Sequence, residues 1–435
     1  MYKLLFAILI CLFSAPLFAQ NLVDIYRLAE QNDATLKIAQ ANYEAAMESL
    51  PIAISSRRPQ VNLSVQQSLK ETNNSIINNS NNTNQNSGYT LSLSQTIYNA
   101  QTSAQVDAAE ASEQEAAATL KVAEQDLIIR VTTSYFDILA AQDNVKFALA
   151  EKNAIARQLE QAKKRFEVGL IAITDVYEAQ AFYDQSLAQS LLIDNQLDNS
   201  FQALQVMTAQ PSSSALAELN KQMPLIIPQP ADIQAWVDTS LKNNPGLVSA
   251  MAASNAARFE LRRQDRAHYP IVDFTASYND SRIDDDLLGD YNLDYFDLMV
   301  KLNVPLFTGG RIDATRQKSA SIYLSAQNNA LLQNRLTSQQ TRIAYLGVIS
   351  GIGQVNAFKQ SLKSSTTGLK ATEAGFEVGT RTSVDVLVSL RETFRAQRDY
   401  SIARYDYLIN TLKLKQAAGL LSSEDLIAIN RWLSL

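Results

Sequence analysis

The sequence is poor in the residue types on which disulfide-bonded domains and many active sites depend. Its 435 residues contain one cysteine, one histidine and 13 glycines. The cysteine, Cys11, lies near the start of the chain, so residues 20–435 contain no thiol for a disulfide or a thiolate metal ligand. The low glycine count, with abundant Ala, Gln, Ser, Leu and Asn, favours long helices.

The histidine, His268, stands beside Tyr269 and Pro270, without a serine motif, a metal-ligand cluster or a phosphate-binding loop. A packing or surface role accounts for it. We therefore expect no enzymatic activity, no cofactor and no firm metal site. The net charge of −6 also argues against nucleic acid as a partner.

Residues 1–19 have the pattern of a secretory signal peptide. Lys3 supplies the positive charge, an apolar stretch follows, and cleavage is expected after Ala19. Cys11 lies inside that apolar stretch, where it does not match a lipoprotein anchor. Beyond the signal, no apolar run approaches the about 18 residues of a membrane-spanning helix.

The rest of the chain is predicted to be a tandem repeat. The halves, 20–210 and 231–435, align at an offset of about 210 residues, and a proline- and serine-rich linker, 211–230, separates them. In each half a helical segment ends before a proline. Two strands, a very long helix, a glycine tip and a returning helix then follow.

The long helical stretches carry apolar residues at alternating spacings of three and four, which indicates a coiled-coil seam. A helix over 101–166 would be about 100 Å long at about 1.5 Å per residue. A solvated coiled-coil stalk would explain the helices alone. In the first stretch the apolar seam positions are Ile128, Val131, Tyr135, Ile138, Val145, Leu149, Ala156, Leu159 and Phe166.

Four strands, around 61–69, 89–98, 271–279 and 296–306, alternate apolar with polar residues. Their length is typical of a tilted membrane strand with one face toward lipid. A soluble sheet with one solvent-exposed face has the same pattern. Four strands cannot close a barrel, so two or three copies would have to share one. Polar segments, 70–88 and 280–295, are expected to be loops between the strands.

Arginine pairs precede the first strand of each half, Arg57-Arg58 and Arg262-Arg263. The sequence is compatible with contact between these arginines and lipid headgroups, and equally with their solvation at helix ends.

Three segments carry a resemblance to a known family: RFEVGLIAITDV (165–176), VGTRTSVDVL (378–387) and ARYDYLIN (403–410). The chain resembles the outer membrane efflux protein family of trimeric channel-tunnels over its whole length after the signal. The resemblance implies a mainly α homotrimer. A long antiparallel coiled-coil α-barrel would cross the periplasm and continue into a β-barrel of twelve strands, four per chain, in the outer membrane of a Gram-negative bacterium.

The resemblance also implies a function. The protein would be the exit duct for efflux or type I secretion, gated by iris-like opening of its periplasmic coiled coils. Its partners would be a periplasmic adaptor protein and an inner-membrane transporter of the RND or ABC type. The alternative is a structural coiled-coil envelope protein without channel activity. The sequence leaves the cargo open.

The glycine tips are the candidate site. Thr174, and Thr382 or Ser383, are expected to cap the returning helices, and Asp175 and Asp385 follow in the first turn, where the helix dipole favours a carboxylate. Capping alone would explain both aspartates. Arg381 stands where the first tip has Ile171, and capping does not require it.

In the family, the arginine that matches Arg381 links to positions matching Thr174 and Asp175 and holds the entrance shut. Asp385 matches a carboxylate ring that binds cations. Two departures weaken these expectations, because the second acidic position is Val388 here and the linking tyrosine is Phe376. The turns resemble the sites where adaptor hairpins dock, which would be Val168, Gly169, Leu170, Val378, Gly379 and Thr380.

Overall fold

The computed structural model describes residues 20–74, 80–210, 216–220, 223–285 and 289–434. The expected signal peptide lies outside these ranges, as do parts of the linker and of both polar segments between strands. In the described ranges, no helix combines the length and the apolarity that crossing a membrane requires.

Helices form most of the described chain. Two of them, α4 and α8, are far longer than the rest. In chain order they are α1 Leu22–Asn32, α2 Ala34–Met47, α3 Ser49–Ser55, α4 Ala100–Glu167, α5 Ile173–Thr208, α6 Ile233–Asn243, α7 Pro245–Asp265, α8 Arg311–Glu377, α9 Ser383–Ala417 and α10 Ser423–Asn430.

The described strands form one four-stranded antiparallel sheet and one two-stranded sheet, in the orders β1-β2-β4-β5 and β3-β6. Leu63, Leu91, Tyr278 and Phe296 form one row across the larger sheet. The strands are β1 Gln60–Asn74, β2 Ser80–Asn99, β3 Glu218–Leu219, β4 Ile271–Asp285, β5 Tyr291–Asn303 and β6 Leu433–Ser434.

The four strands run further into the polar segments than their apolar alternation indicates. Glu71 pairs with Thr83, and Gln85 pairs with Asp284, so the expected loops over 70–88 and 280–295 are too long. The pairing continues because backbone hydrogen bonds form a ladder whatever the side chains are. One face of the sheet exposes large apolar side chains, including Val65 at 78% and Val300 at 65%.

The described chain divides into two compact units. One comprises residues 20–40, 120–247 and 334–434, and the other comprises 41–119 and 248–333. The second unit contains the four-stranded sheet. The first unit contains the glycine tips and a large buried apolar cluster.

The centre of that cluster is aromatic. Tyr135 and Phe136 meet edge to face at 5.7 Å between ring centroids, and Phe136 stacks on Tyr405 at 5.5 Å. The buried hydroxyls have partners, since Tyr135 Oη donates to the Ala217 carbonyl at 2.8 Å and Tyr405 Oη donates to Asp143 at 2.8 Å. A buried tyrosine hydroxyl without a partner would cost free energy, so these bonds favour the observed positions of both rings and of the backbone at Ala217.

The predicted heptad seam of α4 is not buried continuously. Ile128, Val131 and Ile138 are buried, whereas Leu149 is half exposed in the single chain. Nearer the tip, the seam residue Leu159 is buried, and so are Ile155 and Ala162, which lie outside the predicted seam. A straight helix drifts relative to a strict heptad, so the residues that face a neighbour change along its length.

Candidate functional site at the hairpin tips

Both long helices end in the same kind of turn. Gly169 follows α4 with φ +75°, and Gly379 follows α8 with φ +77°. In the first tip the Gly169 N–H donates to the Phe166 carbonyl and the Leu170 N–H to the Arg165 carbonyl, both at 2.9 Å. This is the Schellman arrangement, which needs a left-handed residue and therefore favours glycine.

The second tip has the same turn with additional bonds. The Thr380 backbone N–H and hydroxyl both donate to the Gly375 carbonyl, at 2.8 and 3.0 Å. The Arg381 N–H donates to the same carbonyl at 3.2 Å. The second tip is therefore more extensively hydrogen-bonded than the first.

The returning helices begin differently. Thr382 caps α9 through a capping box, in which its N–H donates to Asp385 Oδ2 at 2.9 Å and its Oγ1 accepts from the Asp385 N–H at 3.2 Å. The bond from the Thr382 N–H is the main reason that the pKa of Asp385 lies below its ordinary value. Capping therefore accounts for Asp385.

Capping does not account for Asp175. The residue that caps α5 is Ala172, which has no side-chain acceptor, so the expectation that Thr174 is the cap is wrong. Thr382, not Ser383, caps the second helix, since Ser383 is its first residue. The difference follows from the repeat offset, which aligns Ala172 with Thr382. The carboxylate of Asp175 remains free of a capping role.

Arg381 lies against the end of its own hairpin. A Cβ added at Gly375 would be 2.8 Å from Arg381 Cγ, so the glycine provides the space that the arginine stem occupies. No hydrogen bond or ion pair joins Arg381 to Thr174 or Asp175 within the described single chain. Arg381 and Thr174 are both exposed, and Asp175 is half-buried.

Two arginine contacts that the sequence did not indicate join the hairpins within one chain. Arg165 lies over the ring of Phe376, at 4.2 Å from Cζ to the centroid. Arg391 lies over the ring of Phe182 at 5.3 Å and is 3.9 Å from Glu151 Oε1. Each hairpin thus supplies one arginine and one phenylalanine to the other. Such pairs depend on tertiary placement, and the sequence carries no periodic signal for them.

The hairpins also share an apolar cluster just above the tips. Ile155, Leu159, Val176, Ala179 and Leu387 are buried together there. The turns themselves remain exposed, with Val168 at 70%, Leu170 at 72% and Val378 at 76%. Apolar side chains that are held at a rigid turn and left exposed are typical of a contact surface.

Sequence and structure comparisons agree on one family. The outer membrane efflux protein family matches residues 25–210 and again 236–420. The chain is 34% identical to the outer membrane protein TolC of Vibrio cholerae over 428 residues, which cover 97% of this chain and 96% of the relative. It is 26% identical to the alkaline protease secretion protein AprF of Pseudomonas aeruginosa, covering 97% of this chain and 89% of the relative.

The fold agrees with these matches. The CmeC outer membrane channel of Campylobacter jejuni superposes with a TM-score of 0.81 at 16% identity, covering 95% of this chain and 90% of that one. The family consists of transport channels, and its members lie in the outer membrane of Gram-negative bacteria. The chain therefore belongs to the outer membrane efflux protein family, as an outer-membrane exit duct of the kind that serves efflux and type I secretion.

Proposed function

We propose that three copies of the chain share one twelve-stranded membrane barrel. The observation that carries this proposal is the four-stranded sheet, whose edge strands β1 and β5 have no further partner in the described chain. An open edge is not stable in lipid, and closure by neighbouring copies would satisfy it. The exposed apolar face, with Leu63 at 65% and Leu302 at 63%, would then face lipid.

The helices would continue this barrel as a tunnel of antiparallel coiled coils in the periplasm. The family match to 25–210 and 236–420 supports two structural repeats joined by the 211–230 linker. Each repeat would supply one hairpin, so a trimer has six tips. A purely structural envelope protein would need the coiled coils but not an open-edged sheet with an apolar face.

The tips would form the gate. Asp175 is free of a capping role, and Arg381 is exposed and forms no ion pair within the described residues. A link from Arg381 to Thr174 and Asp175 of a neighbouring copy would satisfy both groups. Exposed pairs contribute only about 0–1 kcal/mol each, so a docking partner could break several of them at once.

Asp385 would form a ring of three carboxylates around the pore axis. Its pKa is lowered by the Thr382 N–H, so the ring is ionised at neutral pH. The capping box, however, uses Oδ2 of each carboxylate, and Val388 adds no second acid. We therefore expect the ring to bind cations weakly.

The exposed turns would dock a periplasmic adaptor, which connects the duct to an RND or ABC transporter in the inner membrane. The contact residues would be Val168, Gly169, Leu170, Val378, Gly379 and Thr380. Conduction would be passive, with no catalysis by this chain. The relative AprF is named for secretion of a protease and the matching family is named for efflux, which supports protein secretion and efflux as the two candidate uses.

Two measurements test this function together. The detergent-solubilised protein should have the mass of three chains, and it should form channels in planar lipid bilayers. A water-soluble monomer would contradict the barrel, and a trimer without conductance would favour the structural alternative. Deleting the gene and testing drug sensitivity and secreted proteins together would separate the two uses.

A further inference from the structure

A cleft with a volume of about 860 Å³ lies at one end of the four-stranded sheet. Its walls are formed by the end of β2, the start of α4 and the segments that precede β1 and β4. All of these residues belong to the unit that contains the sheet. The lining residues that matter below are Arg57, Tyr98, Ser103, Arg266 and Tyr269.

The charge of the cleft is positive and uncompensated. Arg57 and Arg266 line it, and no aspartate or glutamate does. Arg266 Nη1 donates to the Ala100 carbonyl at 3.0 Å and to Ser103 Oγ, and both of these acceptors are neutral. Arg57 is held through its backbone, whose carbonyl accepts from Gln95 Nε2 at 2.8 Å, and its exposed guanidinium has no described partner.

Nearby arginines differ in this respect. Arg263 is paired with Glu260 at 2.8 Å, and Arg316 is paired with Asp265 at 2.6 Å. Arg262 lies beside the ring of Phe259, outside the cleft. Arg57 and Arg266 therefore line the cleft without an acidic partner among the described residues.

The cleft borders exposed apolar and aromatic surface. Tyr98 is 46% exposed, Tyr269 is 52% exposed and Ile97, which also lines the cleft, is 60% exposed. Tyrosines beside apolar strand ends are typical of the level where a membrane meets water. A ligand for this place would carry an anionic group next to acyl chains.

We propose that the cleft binds the phosphate group of a phospholipid in the inner leaflet of the outer membrane. Arginine matches phosphate oxygens through paired N–H donors, and Tyr98 and Tyr269 would contact the glycerol and the first methylene groups. The site rests on the proposed membrane placement of the sheet. It does not depend on gating at the hairpin tips.

Native mass spectrometry of the full-length assembly tests the site. The protein is stripped of lipid in detergent and titrated with phosphatidylglycerol, with diacylglycerol of the same chains, or with glycerophosphoglycerol. Wild type should retain phosphatidylglycerol. Arg57→Gln should weaken its binding about tenfold, as expected for one charge-assisted contact, and adding Arg266→Gln should weaken it further. Because Arg57 makes no described side-chain contact, its replacement should leave the fold intact.

Arg262→Gln is the matched control, because it removes the same charge outside the cleft and should leave binding unchanged. Equal binding of diacylglycerol, or equal losses in Arg57→Gln and Arg262→Gln, would overturn the proposal. Binding of glycerophosphoglycerol as tight as that of the lipid would replace the lipid by a soluble phosphate compound. The same spectra show the mass of the assembly, so a failure to trimerise is distinguished from a failure to bind lipid.

Discussion

The guanidinium of Arg165 lies 4.2 Å from the ring centroid of Phe376 and joins the end of α4 to the end of α8. The phenylalanine stands where the family resemblance implies a tyrosine that would donate a hydrogen bond. Its ring has no hydroxyl, but its face attracts a cation. A contact between the two hairpins is thus made at this position without a hydroxyl group.

Replacing Phe376 should therefore loosen the closed tips. Phe376→Leu keeps an apolar side chain and removes the aromatic face. Arg165 and Phe376 are both half-buried, and a cation–π contact contributes about 0.5–1 kcal/mol even at exposed sites, so the ratio of open to closed tips should rise at least about two- to fivefold per chain. Single-channel conductance in planar bilayers measures the change.

Phe166→Leu is the control for that variant. Phe166 occupies the equivalent position in the first tip, is 41% exposed and makes no described ring contact with an arginine. Its replacement should leave the conductance near that of wild type. If both variants conduct alike, the Arg165–Phe376 contact does not hold the tips.

Arg381→Ser should also raise the conductance, because it removes the proposed link to Thr174 and Asp175 of a neighbouring copy. Each exposed link contributes about 0–1 kcal/mol, and three are lost at once in a trimer. Arg395→Ser is a suitable comparison, since Arg395 pairs within its own helix with Glu392 and Asp399, each at 3.9 Å. An unchanged conductance in Arg381→Ser would rule the link out.

Multivalent cations should block the wild-type channel only weakly, and Val388→Asp should strengthen the block by adding a second ring of acids. Asp385→Asn should abolish the weak block by multivalent cations. The folded-state pKa of Asp385 is lowered, so the carboxylate stays charged at every pH above its ordinary range. The block should therefore be constant between about pH 5 and 8. Wild-type block at low micromolar cation concentration would contradict the weak site.

Arg130→Gln should destabilise the protein. Arg130 donates to both oxygens of Asp33 at 2.9 and 3.0 Å, and only 3% of the Asp33 side chain is exposed. The variant would leave a buried carboxylate with backbone donors alone, Leu36 N–H at 2.7 Å and Thr35 N–H. Because Arg130 is 30% exposed, we expect a loss of about 2–3 kcal/mol at pH 7, below the full effect for a buried pair.

The stabilisation that Arg130 provides through Asp33 should decrease as the pH falls. Hydrogen bonds from Arg130 hold the pKa of Asp33 below its ordinary value. Its stabilisation is therefore complete above the unfolded pKa of about 3.9 and is lost as the pH falls through the folded pKa. Wild type and variant should converge in denaturant midpoint below about pH 4. Asp126→Asn removes the more exposed partner of Arg130 and should have a much smaller effect.

Leu170→Ser should impair function in cells without changing the channel itself. Leu170 is 72% exposed at the tip, where adaptor docking is proposed. Drug resistance and protein secretion of a deletion strain that carries the variant should fall. Conductance in bilayers should match wild type, and a change there would show that the residue acts on the pore.

Much of the architecture was predictable because it follows from local patterns. The alternation in Leu63, Leu91 and Phe296 predicted strands, and the glycines at 169 and 379 predicted turns that need a left-handed residue. The ends of the strands were not predictable, because the backbone ladder continues past the apolar residues, as Glu71 and Thr83 show. The family resemblance, carried by the tip segments, was confirmed by the matches over both halves.

The features of the tips also divide into those that the sequence shows and those that only the structure shows. By itself the sequence determined that each long helix stops at a glycine and that Arg381 has no counterpart in the first tip, since both depend on neighbouring residues along the chain. Only the structure decided that Thr382 caps α9 in a capping box with Asp385 while Ala172 leaves Asp175 free, and that Arg165 and Arg391 reach rings on the other hairpin. Contacts between residues some 200 positions apart depend on helix rotation and drift, which a one-dimensional pattern does not record.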